Sequence, residues 1–222
     1  MTFFGVSWHW RGAFQACQGT FTPSTSLTPH TLSPDSTTHT EESTGITAGA
    51  IIQVQGKATW RKLSGDDIGG LVRVADEVHP ELPESDAIFA ERVRLFPEGC
   101  LALIDDESGE LCGYIISHPI YNRQPPRLNR LLGDIASGAD QYYIHDIAIL
   151  LEVRGHGYAR EIIETILSVA GRFPTTSLVS VHGTSSFRSR FGFKKLEKID
   201  EALQTKSLDY GTSAVYLERT NV

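Results

Sequence analysis

The 222-residue chain is short of basic charge, of cysteine and of long apolar runs, and each shortage excludes something. Twenty Lys and Arg stand against 27 Asp and Glu, a formal net charge of −7. No Lys- or Arg-rich run occurs, so a nucleic-acid-binding surface is not expected. The acidity would suit steering of cationic amines, although solubility alone selects a net charge of this size. The three cysteines, Cys17, Cys100 and Cys112, are odd in number and have no metal-ligand spacing. Reduced intracellular thiols and no bound metal are the expectation. No segment has the apolar length to cross a bilayer. The first ten residues are apolar and aromatic but lack a basic flank, a poor secretion signal. Arg11 is the only Lys or Arg before Pro34, thin support for a mitochondrial presequence. The expected compartment is the cytoplasm, with no membrane and no nucleic acid among the partners.

The composition that remains, 40% hydrophobic and 21% charged, is that of a soluble globular chain. Residues 18–43 are dominated by Thr, Ser and Pro with few large apolar groups, too little to offset the entropy of ordering. A disordered leader over 1–54 and a folded domain over 55–222 are therefore expected. Within the domain the pattern predicts a strand over 58–63, then a helix over 66–78 capped by Ser64 with Asp66 and Asp67 in its first turn. A second helix, capped by Ser85, follows through 95. Strands over 100–104 and 111–117 flank a polar hairpin loop. An irregular stretch over 118–139, with one helical turn at 128–132, leads to a strand entered at Tyr142. Beyond it come a strand over 177–181, a short helix over 187–191 ending at Gly192, and strands over 193–196 and 214–218.

The most informative segment runs Tyr142-Tyr143-Ile144-His145-Asp146-Ile147-Ala148-Ile149, then Arg154-Gly155-His156-Gly157-Tyr158-Ala159. It reads as a strand passing through a glycine turn into a helix. Ala159, Ile162, Ile163, Ile166, Leu167 and Ala170 form one stripe of 3.6-residue period, and Gly171 supplies a stop. Such a turn offers backbone N–H groups at a positive helix start, which suits a pyrophosphate. Glycines allow the close approach. Gly155-x-Gly157 is too short for a dinucleotide fingerprint, and Gly-Lys-Ser/Thr, the mark of a P-loop, is absent.

What is left is Arg-x-x-Gly-x-Ala at Arg154, Gly157 and Ala159 after a hydrophobic strand. Here the chain resembles the GNAT superfamily of N-acetyltransferases, whose acyl-CoA motif is Gln/Arg-x-x-Gly-x-Gly/Ala. Leu111-Cys112-Gly113-Tyr114-Ile115 and Phe187-Arg188-Ser189-Arg190-Phe191-Gly192-Phe193 resemble two further segments of that family. Tyr143-x-His145-x-Ile147-Ala148 resembles its serotonin (arylalkylamine) acetyltransferase subgroup. The resemblance spans roughly 58–219. It implies an α/β (α+β) acyl-CoA N-acyltransferase fold: a mixed, mostly antiparallel sheet with a splayed parallel pair of strands and flanking helices.

The resemblance implies acetyl-CoA as co-substrate and a small primary amine as acceptor, in a monomer or homodimer. Ile147, Ala148 and Ile149 would bond the pantetheine arm as an added strand does. Arg154, Gly155, His156, Gly157, Tyr158 and Ala159 would surround the pyrophosphate, Arg154 by a charge-assisted contact and Tyr158 by packing. His145 is the candidate general base, since imidazole titrates near the pH at which it must act. A core histidine satisfied by a carbonyl is the competing reading. The subgroup carries two histidines where Tyr143 and His145 stand, so Tyr143 would order a water or line the acceptor site. Strict alternation puts Asp146 on the opposite face from His145, as a loop anchor or helix cap. Many relatives have a tyrosine acid where Arg188 stands. A guanidinium is a poor proton donor, and would instead stabilise the thiolate or bind a CoA phosphate. A peptide or protein acetyltransferase and a non-catalytic acyl-CoA-binding module are the alternatives.

Overall fold

A computed structural model describes residues 57–181 and 188–221. The expected leader over 1–54, Cys17, Phe187 and the polar run over 182–186 lie outside the described residues. Seven strands form one sheet: β1 (Ala58–Lys62), β2 (Cys100–Asp105), β3 (Leu111–Ile120), β4 (Gln141–Ile149), β5 (Thr175–Ser180), β6 (Lys194–Lys195) and β7 (Val215–Thr220). Their order across the sheet is β1-β2-β3-β4-β5-β7-β6. β4 and β5 pair in parallel, and the other described pairs are antiparallel. The helices are α1 (Ile68–Val78), α2 (Asp86–Leu95), α3 (Tyr158–Ala170) and α4 (Glu201–Leu208). This is the mixed, mostly antiparallel sheet with one splayed parallel pair that the resemblance implies. No helix among the described residues is long and apolar enough to cross a membrane.

Two apolar layers hold the sheet. On one face Ile68, Leu71 and Val74 of α1, with Phe89 and Val93 of α2, pack on Leu111, Tyr114 and Ile116 of β3. On the other, Ile162, Ile163 and Ile166 of α3 pack on Ile115, Tyr142, Ile144 and Leu178. Complete burial of each such isoleucine contributes about 2 kcal/mol. The α3 stripe read from spacing is thus the buried face, with Ile162, Ile163, Ile166 and Ala170 buried. At the start of α1, the Asp67 carboxylate accepts hydrogen bonds from the Ser64 N–H and hydroxyl, both at 2.8 Å. Arg61 forks onto the same carboxylate at 2.7 and 2.8 Å.

Two irregularities of the sheet meet in the middle of β4. Ile116 pairs with Asp146 but Ser117 pairs with Ile144, so His145 is an extra residue in β4, a β-bulge. In addition, β4 and β5 are paired only from Gln141↔Thr175 to Ile144↔Leu178. Beyond Ile144, β4 runs on with β3 alone to Ile149 and its other edge parts from β5.

Several boundaries depart from the pattern-based expectation. β3 runs to Ile120 rather than 117, because Ser117, His118 and Pro119 continue to pair with Ile144, Tyr143 and Tyr142. No helical turn forms at 128–132; the chain makes a single turn there, with Asn129 at φ 52°. β6 is only two residues long, and α4, capped by the Asp200 carboxylate accepting from the Leu203 N–H, was not anticipated. Its apolar pattern is weak, and tertiary contacts of Leu203 with Val179, Tyr210 and Tyr216 define it. Arg188 and Ser189 are helical, in line with a short helix closing before Gly192. Cys100 and Cys112 are buried free thiols, and burial pushes them up to about 12 and about 11.

Candidate active site

The bulge at His145 resets the alternation of β4. Tyr142 and Ile144 face the α3 layer, and so does Ile147, three residues on. Ala148 packs in the opposite layer, under α1. His145 and Asp146, expected on opposite faces, therefore both line one cleft. An extra residue on one strand shifts every later side chain by one position, which strict two-residue periodicity cannot foresee.

His145 is 7% exposed, and its Nε2–H donates to Glu84 Oε2 at 2.7 Å. The other Glu84 oxygen accepts the Asn129 N–H at 2.9 Å, and the Asn129 side chain in turn accepts the Ser85 N–H at 3.1 Å. Burial by itself pushes the Glu84 carboxyl up, but His145, Arg92 and the Asn129 N–H outweigh it and hold it below its ordinary value. Arg92 is fully buried behind this pair and donates to the carbonyls of Ile88 and Arg130, both at 3.1 Å. Tyr143 is fully buried beside His145, its hydroxyl near that of Tyr210. It does not line the cleft; Tyr210 does.

A second imidazole–carboxylate pair stands next to the first. His79, just past the end of α1, lies 3.2 Å from Asp146, which also accepts the Tyr114 hydroxyl proton. Burial pushes the Asp146 carboxyl up, but His79 and Tyr114 together more than offset this and bring it down to about 2. Burial likewise opposes the charge on His79, and Asp146 overcomes it, leaving His79 above its ordinary value. Arg188 reaches the same cleft, and burial lowers its guanidinium to about 10 against the pull of Asp146. It thus stands on the cleft side of the bulge.

The cleft is small and partly open, with a cavity volume of about 40 Å³. Its walls combine these charged groups with Leu82, Leu128, Ile144, Ile147, Val179 and Val181, so β4 and β5 supply opposite sides where they part. Residues 121–140 are clamped across this region. Glu91 accepts the N–H groups of Leu132 and Gly133 at 2.6 and 3.0 Å, and Arg127 forks onto Asp209 at 2.9 and 3.3 Å.

Along the outer edge of β4, Ile147, Ala148 and Ile149 have no ladder partner on the β5 side among the described residues. Arg154 Nε donates to the Ile149 carbonyl at 2.7 Å, tying the turn to the strand end. Gly155 and Gly157 have φ of 88° and 93°, the left-handed region, and an added Cβ at either would meet nothing within 4 Å. Backbone there is open to a ligand. His156 is exposed, its Nδ1–H donating to Val153 at 3.3 Å. The Tyr158 hydroxyl accepts the Ala58 N–H at 2.9 Å, and its ring packs against the α1 layer with Ala159. The strand edge and helix start together fit a pantetheine arm and pyrophosphate.

Glu84, His79 and Tyr210 were missed by pattern. Each comes from a different element, and nothing in its local sequence sets it apart.

Residues 70–190 match the Acetyltransferase (GNAT) family model, more than half of the chain, and the chain belongs to that family. Its members are acyltransferases that use acyl-CoA. No curated protein matches the chain. Among solved structures, the GNAT-like decarboxylase GphF in complex with isobutyryl-CoA has a TM-score of 0.61 at 18% identity, covering 74% of this chain and 100% of that one. Ard1 from Thermoplasma volcanium has a TM-score of 0.56 at 18% identity, over 74% and 98%. Arabidopsis thaliana Naa50, with the bisubstrate analogue CoA-Ac-MVNAL, has 0.55 at 14%, over 73% and 98%. At such identities the likeness is one of fold.

Proposed function

We propose that the protein is an acetyl-CoA-dependent N-acetyltransferase in which a small primary amine attacks the thioester directly in a ternary complex. The observation that carries this reading is the bulged His145, backed by buried Glu84 at 2.7 Å, at the point where β4 and β5 part. Acetyl-CoA supplies the acetyl group and leaves as the thiol. The outer edge at Ile147, Ala148 and Ile149 holds the pantetheine arm. The turn through Gly155 and Gly157 and the start of α3 hold the pyrophosphate. Arg154 braces that turn from the strand end.

With its Nε2–H committed to Glu84, His145 keeps the Nδ1 lone pair to take up the amine's proton as the N–C bond forms. The C–S bond breaks and leaves negative charge on sulfur, which the Arg188 guanidinium stabilises. Thiolates leave without strong acid assistance, so no tyrosine is needed in the slot held by Arg188. The clamps on residues 121–140 favour a small acceptor, because Leu128 from that stretch and Tyr210 narrow the cleft.

Purified protein with acetyl-CoA is to be tested against small arylalkylamines, polyamines and peptides with free N-termini, following thiol release. Turnover with the small amines supports the proposal. Turnover only with peptides selects a peptide acetyltransferase. Tight CoA binding with no acceptor-dependent release selects a non-catalytic module.

A further inference from the structure

Part of the connection from β3 to β4 is seated, backbone first, on side chains from the α2 side. The Asn129 N–H donates to Glu84 Oε1 at 2.9 Å, and the Arg130 carbonyl accepts from Arg92 at 3.1 Å. The N–H groups of Leu132 and Gly133 go to Glu91 at 2.6 and 3.0 Å. Glu84 and Arg92 are also the groups that stand behind His145. The stretch 129–133 and the base are therefore held by the same side chains.

Asn129 is the junction. It has φ 52°, and Arg123, at 58°, is the other non-glycine residue of positive φ among the described residues. That conformation is strained for most side chains and least so for Asn. At both positions the N–H meets a buried side-chain acceptor, Gln141 for Arg123 at 2.9 Å and Glu84 for Asn129. Asn129 is tied a second time. Its Oδ1 accepts the Ser85 N–H at 3.1 Å, so Asn129 and the adjacent pair Glu84 and Ser85 exchange two hydrogen bonds. Glu84 lies outside any helix, on a long side chain that can swing if gripped at one oxygen only. Gripped at both, it presents a fixed oxygen to His145 Nε2–H at 2.7 Å.

We propose that Asn129 is a positioning residue for the base: it fixes the Glu84 carboxylate against His145, so that the seating of residues 129–133 and the readiness of His145 are one event. The proposal rests on the acetyltransferase reading and deepens it. Leu128, the neighbour of Asn129, lines the cleft. A bulky acceptor that displaces this stretch takes the Asn129 N–H off Glu84, and His145 loses its fixed partner. A small acceptor leaves the stretch seated and the base backed. Selection by size then acts on kcat as well as on binding.

The test compares wild type with N129P, N129G and E91A. Proline removes the N–H and cannot take φ 52°, whereas glycine keeps both. E91A releases Leu132 and Gly133 while Glu84 and Asn129 stay intact. Proton NMR of the free protein follows the His145 Nε2–H resonance, assigned by its absence in H145A. Exchange of that proton with water is expected to quicken about tenfold or more in N129P, to stay near wild type in N129G, and to fall between in E91A. In turnover, kcat of N129P falls about tenfold with KM for acetyl-CoA unchanged, and N129G keeps most of it. A residue with only a structural role would lower Tm and leave the resonance as it is. A folded N129P with wild-type exchange overturns the proposal. Should N129P not fold, wild-type exchange in E91A overturns it instead. The NMR needs neither acceptor nor CoA, so quickened exchange without turnover sinks only the acetyltransferase reading.

Discussion

The two halves of β4 build their sites from different materials. Its last residues and the turn to α3 offer backbone: a strand edge, two left-handed glycines and a helix start, with exposed side chains around them. Its middle offers side chains: His145 and Tyr143, buried, and Asp146, half-buried, each engaged by a group from another element. A site made of backbone depends on local conformation and survives most substitutions that keep it. A site made of buried side chains depends on partners, and loss of one partner is felt by all.

The largest expected effect comes from the side-chain half. His145→Ala is expected to lower kcat by about 100-fold or more while acetyl-CoA affinity, read by calorimetry, changes little. Loss of affinity on the same scale would merge the two halves into one site. Glu84→Gln keeps the shape at 2.7 Å from His145 but not the charge, and kcat is expected to fall about tenfold, with a lower Tm. In the backbone half, Gly157→Val forces a β-branched residue to φ 93°, a strain of about 1–3 kcal/mol. CoA affinity should weaken about tenfold, with kcat at saturating acetyl-CoA little changed. Tyr158→Phe separates structure from binding: stability drops by about 1 kcal/mol through loss of the Ala58 hydrogen bond, with CoA affinity intact.

The smallest effect is one of pH. His79 is raised in the folded state, so the stability it contributes is full below about 6.5 and is lost as pH rises through its higher folded value. Asp146 is depressed to about 2, so its contribution is full above its ordinary value and is lost as pH falls toward 2. The urea midpoint of the wild type should therefore decline from pH 6 toward 9, and His79→Asn should flatten that decline. An unchanged slope would mean that the pair does not couple to folding.

The parts legible in the chain are those with short-range causes. The α3 stripe, the helix starts just after Ser64 and Ser85, and the Arg154-x-x-Gly157-x-Ala159 turn all rest on residues within a few positions of one another. The site around His145 does not. The bulge that turns Asp146 into the cleft is a register shift between β3 and β4, invisible in β4 alone. Glu84 lies 61 residues from His145 in sequence, and no local pattern distinguishes it from a helix-flanking acid. α4 escaped notice because its apolar face is weak and is completed by residues of β5 and β7.

By itself, then, the sequence determined the order of the strands and of α1 to α3 and the glycine turn that opens α3, because helix periodicity and glycine conformation act over a few bonds. Only the tertiary structure decided which imidazole has a carboxylate behind it and which face Asp146 occupies. Those outcomes depend on strand register and on burial, and both are properties of the packed sheet rather than of any one segment.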